Sequence, residues 1–338
     1  MSGRQRRGNP AVEVDNAIDL VQVDGLVVAK IIKHCNEEGS GTMEVAQGVL
    51  LGLVADTRLE VTNCFPFPKS LEDNAEEEDY QMAMMRHLRK VNVDHLHVGW
   101  YQSTCQGNFL STQFLESQFT YQNSIEESIV LIYDPLKTSR GFLHLKAYRL
   151  TPQAVSLFKD EDFTPEVIKN LKLSFENLYQ EVRLVIHNSH LVNALLSELT
   201  ELVPPEDGCQ YLDLGTASVL EKHLRGLMDN VDEMMQEVNK FNIYQRQVQK
   251  QQQEKFKYQQ KRTLENSARQ AKGEPPLPEE DLTKVFKPIP PPPRLEPMVL
   301  SSQIANTCHQ VSQFCSQALG KLFVTEALQP HKALKSQG

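Results

Sequence analysis

The run His95-Leu-His97-Val-Gly-Trp-Tyr-Gln-Ser-Thr-Cys105-Gln-Gly-Asn108, entered through Val91-Asn-Val-Asp, decides how the N-terminal half of this chain is read. From Val91 to Gly99 it carries the alternation of a strand in an apolar neighbourhood. Successive side chains of a strand point to opposite faces, so His95 and His97 share a face, roughly 7 Å apart at about 3.3 Å of rise per residue. Two imidazoles at that spacing suit a single metal ion, which makes the pair a candidate site.

Working outward, Leu110 to Glu127 is helical in pattern. Ile129-Val-Leu-Ile-Tyr133 is a buried strand ended by Asp134-Pro135, and Phe142 to Leu150 is a further strand. Upstream, an acidic loop from Glu72 to Asp79 leads into a helix over Tyr80 to Arg89. Before that, Gly48 to Val54 and Leu59 to Phe65, split by Ala55-Asp-Thr, read as an antiparallel hairpin whose first strand is apolar throughout and so central. Val21 to Val23 predicts a strand and Leu26 to Cys35 an amphipathic helix, while Val182 to Ile186 and Ser189 to Leu202 predict a last strand and helix. Strands and helices interleave, so the expected class is α/β with a mixed β-sheet flanked by helices.

Past Pro204-Pro205 the pattern changes. Leu220, Leu224, Leu227, Val231, Met234, Val238 and Phe241 alternate in steps of four and three, the heptad signature of a helix that packs on other helices. Gln249 to Gln260 is polar and rich in Gln and Lys, and the prolines from Pro275 to Pro293 impose an extended spacer. Leu300, Ile304, Cys308, Val311, Cys315, Ala318 and Leu322 form a second stripe, in which the two cysteines read as small core residues. The expected organisation is a leader over 1–18, an α/β domain over 19–203 and a heptad helix region over 204–264. A Pro-rich linker over 265–297, an amphipathic helix over 298–329 and a tail over 330–338 complete it. An isolated helix cannot bury such stripes, so they call for partners within the chain or in another subunit.

A net charge of −9 over 338 residues gives no broad positive field for nucleic acid, although a local RNA contact in the Gln/Lys segment stays open. No apolar run approaches the roughly 20 residues of a membrane span, and Met1 to Asn9 resembles neither a signal nor a transit peptide. The six cysteines form no C-x-x-C pair, which argues against a zinc ribbon and for a reducing compartment. The phosphate-loop, dinucleotide, hydrolase-elbow and H-E-x-x-H motifs do not occur, and no cofactor is expected.

A catalytic zinc needs a third ligand, usually anionic, and a general base beside its water. The run from His95 to Asn108 resembles the H-x-H-P-x6-S-x2-D segment of the JAMM metalloproteases, which share the MPN fold, and Glu44 to Gly52 resembles their glutamate-bearing first strand. Along that motif His95 and His97 keep the histidine positions. Asn108 falls where the family has aspartate, Cys105 where it has serine, and Val98 where it has proline. Glu44 is one residue too far from Gly48, which puts Val45 in the register of the base. A neutral amide brings no charge to offset a cation, so the resemblance implies an MPN domain without catalysis, the alternative being a JAMM-type zinc-dependent isopeptidase acting on ubiquitin-like conjugates.

The blocks Val21 to His34, Asp94 to Thr104, Glu126 to Pro135 and Gly273 to Leu282 resemble the non-catalytic MPN-domain subunits of eukaryotic translation initiation factor three. The resemblance implies a cytoplasmic, non-catalytic scaffold that assembles with other subunits, a second MPN-domain subunit among them, through its MPN domain and C-terminal helices. It further implies that the complex binds the small ribosomal subunit and supports recruitment of mRNA and initiator tRNA.

Overall fold

The structure, a computed structural model, describes residues 18–39, 45–67, 74–91, 96–104, 107–138, 143–202, 217–273, 275 and 285–328. The chain divides into two compact units. The first comprises 1–109, 117–149 and 180–211, and the second 110–116, 150–179 and 212–338.

The first unit holds seven strands in the order β1-β3-β2-β4-β5-β6-β7, closed into a barrel where β7 meets β1. β1 (Leu20–Asp24) runs parallel to both β3 (Arg58–Pro66) and β7 (Tyr179–His187). β2 (Gln47–Ala55) is antiparallel to β3 and to β4 (Leu96–Ser103), and β5 (Ile129–Tyr133) is parallel to β4 and antiparallel to β6 (Leu145–Leu150). The sheet is therefore mixed, as the alternation of elements predicts; its closure is an addition, because pairing of the first strand with the last has no local signal. Ile129-Val-Leu-Ile-Tyr133 is buried at every residue, which explains a strand without polar alternation.

Beside the barrel α1 (Gly25–Gly39) lays Val27, Val28 and Ile31 into a core with Val21 and Val23 of β1, Leu50 of β2 and Leu59 and Val61 of β3. Tyr101 of β4 and Leu131 of β5 belong to the same core. The other face of the β2/β3 hairpin, with Val49, Leu51 and Phe65, is covered by Tyr80, Met84, Met85 and Leu88 of α2 (Asn74–Lys90). α3 (Thr112–Ser124) precedes β5, and it begins two residues later than the pattern at Leu110 suggests because Ser111 supplies its cap, accepting from Phe114 N–H at 3.0 Å. α4 (Pro135–Thr138) is a single turn, with Asp134 Oδ1 accepting from Lys137 N–H at 3.1 Å. The expected strand over Phe142 to Leu150 is shorter at its start, and α7 (His190–Leu202) closes the described part of this unit.

The second unit contains two short helices for which the periodicity gives no expectation. α5 (Pro152–Asp160) is capped by Thr151, whose Oγ1 accepts from Ala154 N–H at 3.3 Å, and α6 (Pro165–Asn170) also opens on a proline in its first turn. α8 (Ala217–Ala271) is 55 residues long, about 80 Å at 1.5 Å per residue. It overruns the expected limit at 264, because nothing in Glu265 to Ala271 breaks a helix until Gly273, whose φ of +75° suits a C-terminal stop. The returning segment lies along α8: the Gln251 amide donates to Lys287 O at 2.6 Å, Tyr258 meets Phe286 edge-on at 5.8 Å, and the Arg294 guanidinium sits 4.5 Å over the Phe241 ring. α9 (Leu295–Leu328) then packs on α8; it starts ahead of the expected 298 because Pro297 is tolerated in a first turn.

Candidate functional site

β4 carries the candidate site. Its pairing with β2 slips between Leu50↔Gly99 and Leu51↔His97, so Val98 is an extra residue in a bulge. Gly99 has φ +154°, and a Cβ there would lie 2.1 Å from Ile129 O on the neighbouring strand. Any other residue would push β4 from β5, so glycine is dictated at this point.

The bulge lets the His97 ring turn back on its own strand: its Nε2 lies 2.9 Å from Gly99 O. A carbonyl only accepts, so Nε2 carries the proton and donates. Tyr121 of α3 packs edge-on against the imidazole at 5.3 Å and stacks on Trp100 at 5.9 Å. Trp100 Nε1 donates to Gln118 Oε1 at 2.8 Å, and the Gln118 amide donates on to Ser128 O at 3.3 Å. His97 thus belongs to a packed layer between β4 and α3. Burial pushes its pKa below the usual value, and the bond to the Gly99 carbonyl, which favours the charged ring, offsets only part of that.

Asn108 lies beyond β4 and is exposed, whereas His97 is half-buried. His95, Cys105 and Glu44 lie outside the described residues. Among the described residues no group of three or more His, Cys, Asp or Glu is placed to hold a metal ion.

A second polar cluster lies under β4, and the motif-based reading misses it. Tyr101, fully buried, shares a hydrogen bond of 2.9 Å with His34 Nδ1 of α1, and His34 Nε2 lies 3.7 Å from Glu38. Burial raises the Tyr101 phenol, and it pushes the Cys35 thiol up to about 11 and Cys64 up to about 12. Ser103 Oγ accepts from Ala46 N–H at 2.8 Å, which ties the entry of β2 to β4. The Tyr101 phenol and the Cys35 and Cys64 thiols are held protonated, an arrangement that fixes the fold and offers no nucleophile. His34 and Tyr101 stand 67 residues apart, so no short motif joins them.

The helical stripe positions divide. On α8, Leu220, Leu227, Met234 and Phe241 are half-buried, whereas Leu224, Val231 and Val238 are 42–43% exposed. Met228 and Met235 widen that exposed face at 66% and 59%. On α9, Ile304 and Val311 are half-buried and Leu322 is exposed. The buried side of α9 keeps Leu300 of the stripe but then runs through Ser302, Thr307 and Gln310, so Cys308 and Cys315 are exposed and are not core residues. The helix is turned by about one residue from the stripe read in the sequence, with Thr307 and Gln310 inward.

No helix among the described residues is long and apolar enough to cross a membrane. The region 16–127 matches the family model described as JAB1/Mov34/MPN/PAD-1 ubiquitin protease, and 138–334 matches that described as the C-terminal region of eIF3h. Proteins named as the H subunit of eukaryotic translation initiation factor 3, from Aedes aegypti and Culex quinquefasciatus, are each 58% identical to the chain over 335 residues, covering 99% of it and 100% of the relative. One of the same name from Salmo salar is 54% identical over 327 residues, 96% of the chain and 95% of the relative. With likeness of this degree end to end, and an MPN barrel followed by long helices in the structure, the chain belongs to the family of the H subunit of eukaryotic translation initiation factor 3.

Proposed function

We propose that the chain is a non-catalytic scaffold of the translation initiation factor 3 complex in the cytoplasm. It assembles with other subunits, a second MPN-domain subunit among them, through its MPN domain and C-terminal helices, and supports recruitment of mRNA and initiator tRNA to the small ribosomal subunit. The observation that carries this is the face of α8 formed by Leu224, Met228, Val231, Met235 and Val238, an apolar stripe turned to solvent along a helix whose other stripe is already half-covered. Leu319, Leu322 and Phe323 extend the uncovered apolar surface on α9. Helix faces of this kind gain their stability from burial against further helices.

Catalysis does not fit the residues in view. His97 spends its Nε2–H on Gly99 O and its ring face on Tyr121, and Asn108 supplies an uncharged amide where zinc chemistry wants a carboxylate. The family model over 16–127 bears the description of a ubiquitin protease, and that rival has its own test: stoichiometric zinc in the purified chain, with isopeptide cleavage lost on His97→Ala, would restore the enzyme.

For the scaffold, replacing Leu224, Val231 and Val238 with Asp puts three charges into the seam. Co-purification of initiation-factor subunits with the tagged chain is expected to fall about tenfold or more, while the N-terminal unit keeps its circular dichroism and melting. Undiminished recovery of partners by the triple variant would refute the reading.

A further inference from the structure

We infer that the distal half of α8 is a direct contact surface for single-stranded RNA, with Arg246, Lys250, Lys257 and Lys261 on phosphates and Phe256 beneath a base. The inference concerns this chain alone and does not depend on the assembly reading above. In a molecule of net charge −9, the stretch from Lys240 to Lys272 holds nine lysines and arginines against two glutamates. The sign of the local field is opposite to that of the whole.

The charges are also ordered. At 100° per residue, Arg246, Lys250, Lys257 and Lys261 fall within an arc of about 60° and span about 22 Å along the helix. All four are exposed, and among the described residues none has an ion-pair partner. Glu254 and Glu265 fall outside the arc. Gln251 and Tyr258, which hold the returning segment, lie about 100° away from its centre, so that segment leaves the basic face open.

A shallow groove of about 380 Å³, lined by Gln249, Gln252, Gln253, Phe256 and Lys257, meets the arc at Lys257 and runs round to Phe256, about 110° from the arc's centre on the flank away from Gln251 and Tyr258. Phe256 is 60% exposed, an aromatic ring facing water between glutamine amides and a lysine. An acidic protein surface needs the lysines and has no use for the ring. A nucleic-acid strand uses both, since phosphates follow a basic track while bases stack on aromatic rings, and the amides can hydrogen-bond base edges. The track is too short and straight to favour one sequence, so the recognition is of charge and stacking.

The test measures fluorescence anisotropy of a labelled uridine 20-mer with the full chain across a salt series. Arg246, Lys250, Lys257 and Lys261 are changed together to Gln, which keeps helix propensity. The wild type is expected to bind, and the quadruple variant to bind about tenfold or more weakly with a log–log salt slope shallower by about 3, from about 0.7 per phosphate contact on a single strand. Phe256→Ala is expected to lose about fivefold or more with the slope unchanged, since stacking releases no counterion. A variant with Lys33, Lys90, Lys159 and Lys172 changed to Gln removes the same charge elsewhere and is expected to bind within about twofold of wild type. Circular dichroism checks that each variant keeps its helix. Absence of binding by the wild type, equal loss in the two quadruple variants, or an unaltered Phe256→Ala with displacement by polyglutamate as readily as by RNA would each overturn the inference, the last pointing to an acidic protein instead.

Discussion

His97 shows how one side chain can keep the position of a ligand and take another task. Its imidazole is neutral in the fold because burial disfavours the charged ring, and its folded pKa lies below that of the unfolded chain. The unfolded state therefore binds the extra proton first, so the stability due to His97 is complete above the unfolded value near 6.5 and is lost as pH falls from there through the folded pKa. His144, also lowered by burial and then by Lys137, pulls in the same direction, so the effect of His97 is isolated by a difference. Denaturant unfolding at pH 7.5 and pH 5.5 should show a larger loss for wild type than for His97→Gln; equal losses would mean the ring is not held neutral by the fold. That His97 sits on a strand is legible in the alternation of residues, since strand period is local, while the shared face expected for His95 lies outside the described residues. The bond from His97 to Gly99 is not, because it depends on the Val98 bulge and on Tyr121, 24 residues further along the chain.

At the scale of elements, periodicity locates helices better than it orients them. The stripe Ile304, Cys308, Val311, Cys315 is apolar at heptad spacing, yet α9 buries Thr307 and Gln310 and leaves both cysteines outside. Thr307 Oγ1 satisfies itself on Gln303 O at 2.8 Å, which makes an inward hydroxyl tolerable, and the Gln303 amide donates to Leu110 O. A chemical consequence separates the two orientations: iodoacetamide on the native chain should modify Cys308 and Cys315 about tenfold or more faster than Cys35 and Cys64, as read by peptide mass spectrometry. Cys35 and Cys64 are both buried and raised in pKa, so their thiolates are scarce at neutral pH. Protection of Cys308 and Cys315 equal to that of Cys35 would return them to a core. Among strands the hairpin β2/β3 and the buried β5 are legible because their signals lie within a few residues. Two helices between Leu150 and Tyr179 that open on proline escape because each is under three turns long, too short for a periodic stripe.

For the whole molecule, apolar surface on α7, α8 and α9 exceeds what the chain covers by itself: Leu191, Leu195 and Leu199 of α7 are 84%, 55% and 46% exposed, in addition to the face of α8. The chain purified without partners should therefore associate as its concentration rises, and the triple Asp variant of α8 should associate less; light scattering after size exclusion reads both, and a wild type that stays monomeric into the tens of micromolar would count against the uncovered faces. Closure of the barrel is the feature the sequence hides most completely. Leu20 of β1 pairs with Arg183 of β7, and the same short strand pairs at its other edge with Arg58 of β3. During synthesis at about 5–20 residues per second, β1 emerges and then waits of the order of ten to thirty seconds for its last neighbour. Until then one edge of β1 carries unpaired backbone groups, so the nascent N-terminal unit passes through a long window in which a passing strand or a chaperone can take the place reserved for β7. The length of that window is set by the speed at which the chain is translated.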